Sequence, residues 1–376
     1  MRFRNLLLIP FDLDLKKVQM EKKFPDEIFI EFFQYISVVD LYRAFYGLNH
    51  RLNSILMDRR VNNLGLNLFI MSCSDHRYLK EYILPNQSIQ TKITYVKTDD
   101  WFSTTNRPEL SNQLLSKSLS LLINHYPNLR SLVLPMVAYY HIEQLLNLPF
   151  ESRQQLTCLK LEKHLLSHKD RVLKADFISK ISQWHYFPNL KILHIPFDFV
   201  SPTISVGLNT NLISLKVMSC YTREFYLLLK NLPILKSFTC MYQMCCRENE
   251  IVDYKHLNLI ELNLEIMWLS FKHLKTILFS LPKLKLFKIV ACHLFRAEKD
   301  FIMLQNWYEL FKENDVLLKT LKKFQCNINV SPKDQYRFTA EENEQFNMLI
   351  ENNNNKFISE IKFIYTDGIL CRLYTD

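Results

Sequence analysis

Apolar residues recur along the chain in a short pattern: one mark, a second three residues on, and a third two beyond that. The spacing holds at Leu129/Leu132/Leu134, Leu156/Leu159/Leu161, Leu190/Leu193/Ile195 and Leu212/Leu215/Val217. It continues at Leu235/Phe238/Cys240, Leu259/Leu262/Leu264 and Leu284/Phe287/Ile289, with looser copies at Leu321/Phe324/Cys326 and Ile358/Ile361/Phe363. The second and third marks alternate as in a strand, so both point to one buried face. Helical patterning precedes most copies, over 116–126, 175–186, 222–232 and 271–281. Within the third of these, Phe225, Leu228, Leu229 and Leu232 fall on one helix face. Pro127, Pro188, Pro233 and Pro282 each stand two residues before a marked leucine. Proline cannot continue a helix and pushes the residue before it toward extended geometry. The predicted unit is therefore helix, proline stop, short strand.

Successive copies start 27, 34, 22, 23, 24, 25, 37 and 37 residues apart. The four central steps match the roughly 20–29 residue period of leucine-rich repeats, which the pattern resembles. Cys220 and Cys292 stand three residues after the last mark, as in the cysteine-containing variant of that repeat. The resemblance implies an α/β solenoid, with strands stacked into a curved parallel sheet and helices outside.

Ahead of the repeats, residues 24–60 read as a helical module. Pro25 suits a first helical turn, and Asp26 and Glu27 suit the positive end of its dipole. Ile28, Phe32 and Tyr35 fall at i, i+4 and i+7, flanked by Phe29, Phe33 and Ile36, so the helix is apolar around much of its circumference. Ser37 and Asp40 fit a capping box for a second helix carrying Leu41, Ala44 and Phe45. Gly47 or Asn49 ends it, and Leu48, Leu52, Ile55 and Leu56 mark a third. Three short helices bury little alone, so an exposed Phe29, Phe33 or Ile36 would be a patch seeking a partner.

The Pro-Asp-Glu-Ile opening, the Tyr-Ile-Ser step and the Asp-Leu pair of this segment resemble an F-box. That family binds the Skp-type adaptor of cullin–RING (SCF) ubiquitin ligases. The resemblance implies adaptor contacts by Pro25, Ile28, Phe33, Ile36, Leu41 and Leu52. An F-box followed by leucine-rich repeats is a known pairing, and the order here matches it. The alternative is a helical cap on the open end of the solenoid, hiding the first repeat's apolar edge.

The remaining segments complete the expected layout. Residues 1–23 form an extension. Residues 61–118 hold irregular first repeats, with strands expected over 64–71 and 89–97 and a polar loop over 99–109. The solenoid proper covers 119–331. Residues 332–376 are an irregular C-terminal repeat or cap, with a helix near 341–351, an asparagine loop at 352–355 and a last strand.

Composition narrows the function. Only four glycines occur, Gly47, Gly65, Gly207 and Gly368, too scattered for any phosphate-cradling loop. The net charge of +9 suggests a nucleic-acid or anionic-membrane partner, but no run of five or more basic residues appears. The nine cysteines form no C-x-x-C pair, which removes the usual zinc spacing. Without a secretory signal, they point to a reducing, intracellular compartment, cytoplasmic or nuclear. No run of 18 apolar residues suggests a membrane span. His164 and His168 lack the glutamate of H-E-x-x-H, and Cys292 and His293 would point to opposite strand faces. Neither pair assembles a site, so no cofactor, metal or catalytic residue is expected.

Positions between the buried marks should face the concave surface. They include Lys160, Glu162, His194, Lys216, Glu261, Asn263, Glu265 and Lys288. Both signs occur without a basic stripe, which suits a protein target better than a nucleic acid. The expected function is a non-catalytic substrate receptor of an SCF-type ligase. The alternative is a leucine-rich-repeat interaction scaffold outside any ligase.

Overall fold

The computed structural model describes residues 24–58, 60–61, 64–68, 72–97, 126–137, 139–164, 171–181, 183, 185–199, 210–243, 254–291, 301, 304–329, 362–366 and 370–374. Ten strands lie parallel and in chain order, each one step along a single sheet. They are β1 (Leu64–Asn67), β2 (Ile93–Lys97), β3 (Ser131–Val137), β4 (Cys158–His164) and β5 (Ile192–His194), then, past a short β6 (Asp198–Phe199), β7 (Ser214–Tyr221). The row continues with β8 (Ser237–Gln243), β9 (Glu261–Trp268), β10 (Leu286–Ala291) and β11 (Lys323–Asn329). β6 pairs only with β7. The chain is thus an α/β protein built on a long parallel sheet.

The apolar marks explain this layout. Every one from Leu129 to Cys326 is buried, at 4% exposure or less. In each repeat they point to the same face, and the helices cover that face. Helix Thr222–Asn231 packs on β7 and β8, burying Phe225, Leu228 and Leu229. The Phe225 ring stacks on Phe238 at 5.5 Å between centroids. Each buried Leu or Phe contributes roughly 1.5–3 kcal/mol. No single repeat encloses these residues by itself, so stacking supplies the core.

A second device joins neighbouring repeats. The residue before the first mark is asparagine in four copies, and each side-chain amide donates to a carbonyl of the preceding repeat. Asn128 reaches Thr91 O at 2.6 Å, Asn189 reaches Gln154 O at 2.8 Å, Asn211 reaches Pro188 O at 2.9 Å and Asn258 reaches Pro233 O at 2.8 Å. Thr320 takes the same place in a later repeat, its hydroxyl 3.3 Å from Pro282 O. Buried His256 adds a cross-link of its own. Its Nδ1 accepts from the Leu259 N–H at 3.0 Å, which leaves Nε2–H to donate to Leu232 O at 2.9 Å. Burial lowers its pKa and keeps the ring neutral.

The N-terminal module forms as three helices, α1 (Asp26–Phe33), α2 (Val38–Phe45) and α3 (His50–Met57). Ser37 caps α2, accepting from the Asp40 N–H at 3.2 Å while its hydroxyl donates to the Asp40 carboxylate at 2.6 Å. Asn49 caps α3 by accepting from the Leu52 N–H at 2.8 Å. Gly47 follows the end of α2 with φ +81°, the left-handed region that glycine favours. A helix apolar on most sides has two faces to place, and the sheet takes one. Ile30, Phe33, Val38, Leu41, Leu52 and Leu56 merge with β1 and β2 into one continuous apolar core. Lys92 locks the joint: its buried ammonium donates to Asp58 O at 2.5 Å and Val61 O at 3.1 Å. Arg43 of α2 pairs with Asp75 and lies 5.0 Å over the Tyr78 ring.

The irregular ends depart from the sequence pattern. β1 and β2 are shorter than expected, and a helix, Gln87–Gln90, occupies the start of the second expected strand. The β1–β2 register slips between Leu64 and Gly65, while Val61, Leu64 and Leu66 keep the apolar spacing and are buried. Phe363, a mark of the last looser copy, sits in β12 (Lys362–Thr366), which is not a further parallel step. β12 pairs antiparallel with β13 (Leu370–Tyr374), and β13 pairs antiparallel with β11. A returning hairpin thus closes the array where one more repeat was expected. The helix expected over 116–126 (but for Tyr126), the helix near 341–351, Cys292 and the loops over 99–109 and 352–355 lie outside the described residues.

The inter-repeat amides make a direct stability prediction. Asn189→Ala and Asn258→Ala should each lower unfolding free energy by about 1 kcal/mol, the value of one hydrogen bond. Lys283→Ala, at the same repeat position without such a bond, should change it little. Chemical denaturation curves of the three variants check this. Gly47→Ala should cost about 1 kcal/mol through φ alone, because no atom lies within 4 Å of an added Cβ.

Candidate functional site

Two surfaces carry exposed side chains of functional interest: the outer face of α1 and the sheet face that the helices leave open. On α1, Ile28 and Phe32 are each 50% exposed, Tyr35 just beyond is 82% exposed, and Phe24 lies uncovered before the helix. Ile28, Phe32 and Tyr35 keep their i, i+4, i+7 spacing and so share one stripe. Arg51 of α3 fixes the start of the helix, donating to Phe24 O at 2.6 Å and to the Asp26 carboxylate at 2.7 Å. The stripe is therefore presented on a braced helix.

The six residues assigned to adaptor contact divide. Pro25 and Ile28 are exposed and Ile36 is half-buried. Phe33, Leu41 and Leu52 are inside the chain's own core, at 2% exposure or less. Phe33 packs its ring 5.1 Å from Phe45. These three are corrected from surface contacts to core residues, because the first repeat needs an apolar cover and takes that face of the module. Phe32 and Tyr35 were missed as surface residues. Their signal was the i, i+4, i+7 spacing, which on a helix apolar all round does not say which stripe turns inward.

All eight target-face residues lie on the open side of the sheet. Register lines three of them up directly: Lys160 on β4 pairs with His194 on β5, which pairs with Lys216 on β7. The same row runs on through Thr239 and Asn263 to Lys288 and Gln325. In the other direction it reaches Val133 and Lys97. This middle row contains no carboxylate. The acids stand to either side of it: Glu261 before it in β9, and Glu162 and Glu265 after it in β4 and β9.

Those acids are partly engaged. The Glu162 carboxylate lies 3.3 Å from Lys97 Nζ. Glu261 accepts from the Ser237 hydroxyl at 3.0 Å and from Asn263 Nδ2 at 2.9 Å. Asn263 also donates to Thr239 Oγ1 at 3.3 Å. Lys97 was missed in the sequence because β2 falls in the irregular first repeats.

His194 is the titratable centre of the row. Burial pushes its pKa down to about 4, the ammonium groups of Lys160 and Lys216 add to that, and Glu162 opposes it. At neutral pH the ring is uncharged and sits between two cations. Among the described residues, no three His, Cys, Asp or Glu side chains converge as a metal site, and no helix is long and apolar enough to cross a membrane. Cys158, Cys220, Cys240 and Cys326 are buried thiols, and burial raises the Cys220 pKa strongly, which suppresses the reactive thiolate. Trp307 is a core aromatic, its Nε1 donating to Phe301 O at 2.9 Å.

No protein-family model matches the chain, and none of the curated proteins compared is detectably similar to it in sequence.

The His194 environment sets a pH window. Above about pH 6.5 the ring is neutral both folded and unfolded. Between there and about pH 4 only the unfolded chain takes up the proton, so stability falls as pH drops through that range. His256, also depressed, adds in the same direction. His194→Gln should flatten part of this slope in denaturation curves taken from pH 7 to pH 4. NMR titration of the wild-type ring should find its midpoint well below 6.5.

Proposed function

We propose that the protein is the substrate-recognition subunit of an SCF-type cullin–RING ubiquitin ligase. In this reading residues 24–60 are a divergent F-box, the repeats are leucine-rich repeats, and the protein itself performs no chemistry. The observation that carries it is the exposed stripe of Ile28, Phe32 and Tyr35 on a three-helix module set directly before the repeat array. A monomeric surface has little reason to hold an apolar stripe on a braced helix unless a partner covers it. The F-box-like motif in the same residues names the partner: a Skp-type adaptor, and through it a cullin. The open sheet face then receives a protein target, and the compartment is intracellular.

One observation favours a second reading. The inward face of the module shares its core with β1 and β2, as a structural cap on a repeat array would. A cap explains Phe33, Leu41 and Leu52, and makes the chain an interaction scaffold. It does not explain the outward stripe.

Pull-down with a Skp-type adaptor separates the two. Ile28→Asp combined with Tyr35→Asp places charges in the stripe, costs the fold little and should abolish the complex. Leu41→Asp is unsuitable as the test, because it buries a charge in the core and should unfold the module. Absence of wild-type binding overturns the ligase reading in favour of the scaffold.

A further inference from the structure

The open face holds a feature that neither the module nor the repeat pattern accounts for. Lys160, His194 and Lys216 occupy adjacent strands in direct register. Strand spacing of about 4.8 Å puts Lys160 and Lys216 about 10 Å apart, with His194 midway. Among the described residues no carboxylate pairs with Lys160 or Lys216. Glu162, two residues along the strand of Lys160, is already held by Lys97. Two uncompensated cations therefore flank a neutral imidazole, which supplies one donor and one acceptor.

We propose that this row seats an extended acidic segment of a target protein, with one carboxylate on Lys160, a second on Lys216 and His194 hydrogen-bonding between them. The proposal rests on the open face being the target surface, and it names the chemistry that surface selects. A polyproline II segment has three residues per turn and rises about 3.1 Å per residue. Acidic residues three apart therefore lie on one side, about 9 Å from each other, close to the spacing of the two lysines. The segment runs across the strands, along a row that contains no acid. Glu162, Glu261 and Glu265 on its flanks repel the continuous charge of a nucleic-acid backbone. Isolated carboxylates on a peptide pass between them.

The test uses the full chain and a fluorescein-labelled proline-rich peptide with two aspartates three positions apart. Fluorescence polarisation should show saturable binding that weakens with added salt. The same peptide with asparagines should not bind. Lys160→Glu combined with Lys216→Glu should weaken the aspartate peptide at least about tenfold, the product of two exposed ion pairs. Lys236→Glu combined with Lys285→Glu makes the same change in net charge away from the row, and should leave affinity within about twofold. Equal losses in both double variants, or no saturable binding by the wild type, overturn the proposal. So does tighter, Lys160- and Lys216-dependent binding of a single-stranded oligonucleotide, which would assign the row to nucleic acid. Adaptor pull-down of the same preparation reads the ligase assignment separately. Peptide binding without adaptor binding removes the ligase role and leaves the acidic-segment surface standing. The converse removes only the surface.

Discussion

Everything in this structure depends on one constraint: a single repeat cannot enclose its own leucines. Its strand and helix offer one apolar face each, and the next repeat must complete the enclosure. Stacking then follows, and with it registry. Leu132, Leu159, Leu193 and Leu215 meet in sequence across four strands, and Phe238, Leu262, Phe287 and Phe324 extend the line. Once the inner row is fixed, the outer rows are fixed too, because strand side chains alternate faces. The middle row of lysines with His194 is thus a by-product of packing on the far side of the sheet. A function placed there inherits a geometry that the core maintains.

The same constraint explains the two ends. A long open sheet has an inner row exposed at each terminus and a strand edge free to pair with other chains. At the start, α1 to α3 cover the inner row, and the Lys92 ammonium bonds the carbonyls of Asp58 and Val61 just after α3. At the finish, β13 turns back antiparallel onto β11, and β12 pairs antiparallel with β13 beyond it. The first closure carries surplus apolar surface. Covering the core accounts for Phe33, Leu41 and Leu52. Ile28, Phe32 and Tyr35 are left over.

The sequence shows the interior more clearly than the surface. The leucine marks are legible because burial is periodic, and Pro188 and Pro233 place the strand starts to within a residue or two. Three features were not legible, each for a physical reason. The inward and outward stripes of α1 are equally apolar, so only the neighbouring strands decide which is buried. The asparagine amides look like turn residues until their acceptors, about a repeat away in sequence, are brought alongside. The depressed pKa of His194 comes from burial in the folded sheet, reinforced by Lys160 and Lys216, which the chain places 34 residues before it and 22 after it. The last copy of the pattern, at Phe363, failed because spacing alone does not distinguish a parallel step from a returning hairpin.

A shared core between module and sheet bears on function beyond stability. Two domains on a flexible linker would let one binding surface sample many positions relative to the other. Here Leu41 and Leu52 pack into the same apolar body as Leu64 and Leu66, and the Arg43–Asp75 pair braces the joint. Bending that joint would expose apolar surface and strand the Lys92 ammonium without its carbonyls, which opposes hinge motion. The outward stripe and the lysine row are therefore held at a fixed relation by the core between them. In the proposed receptor role, which would hold one protein while presenting another, that rigidity would act as a positioning device. It arises from the first repeat's need for a cover, and no separate element is required to provide it.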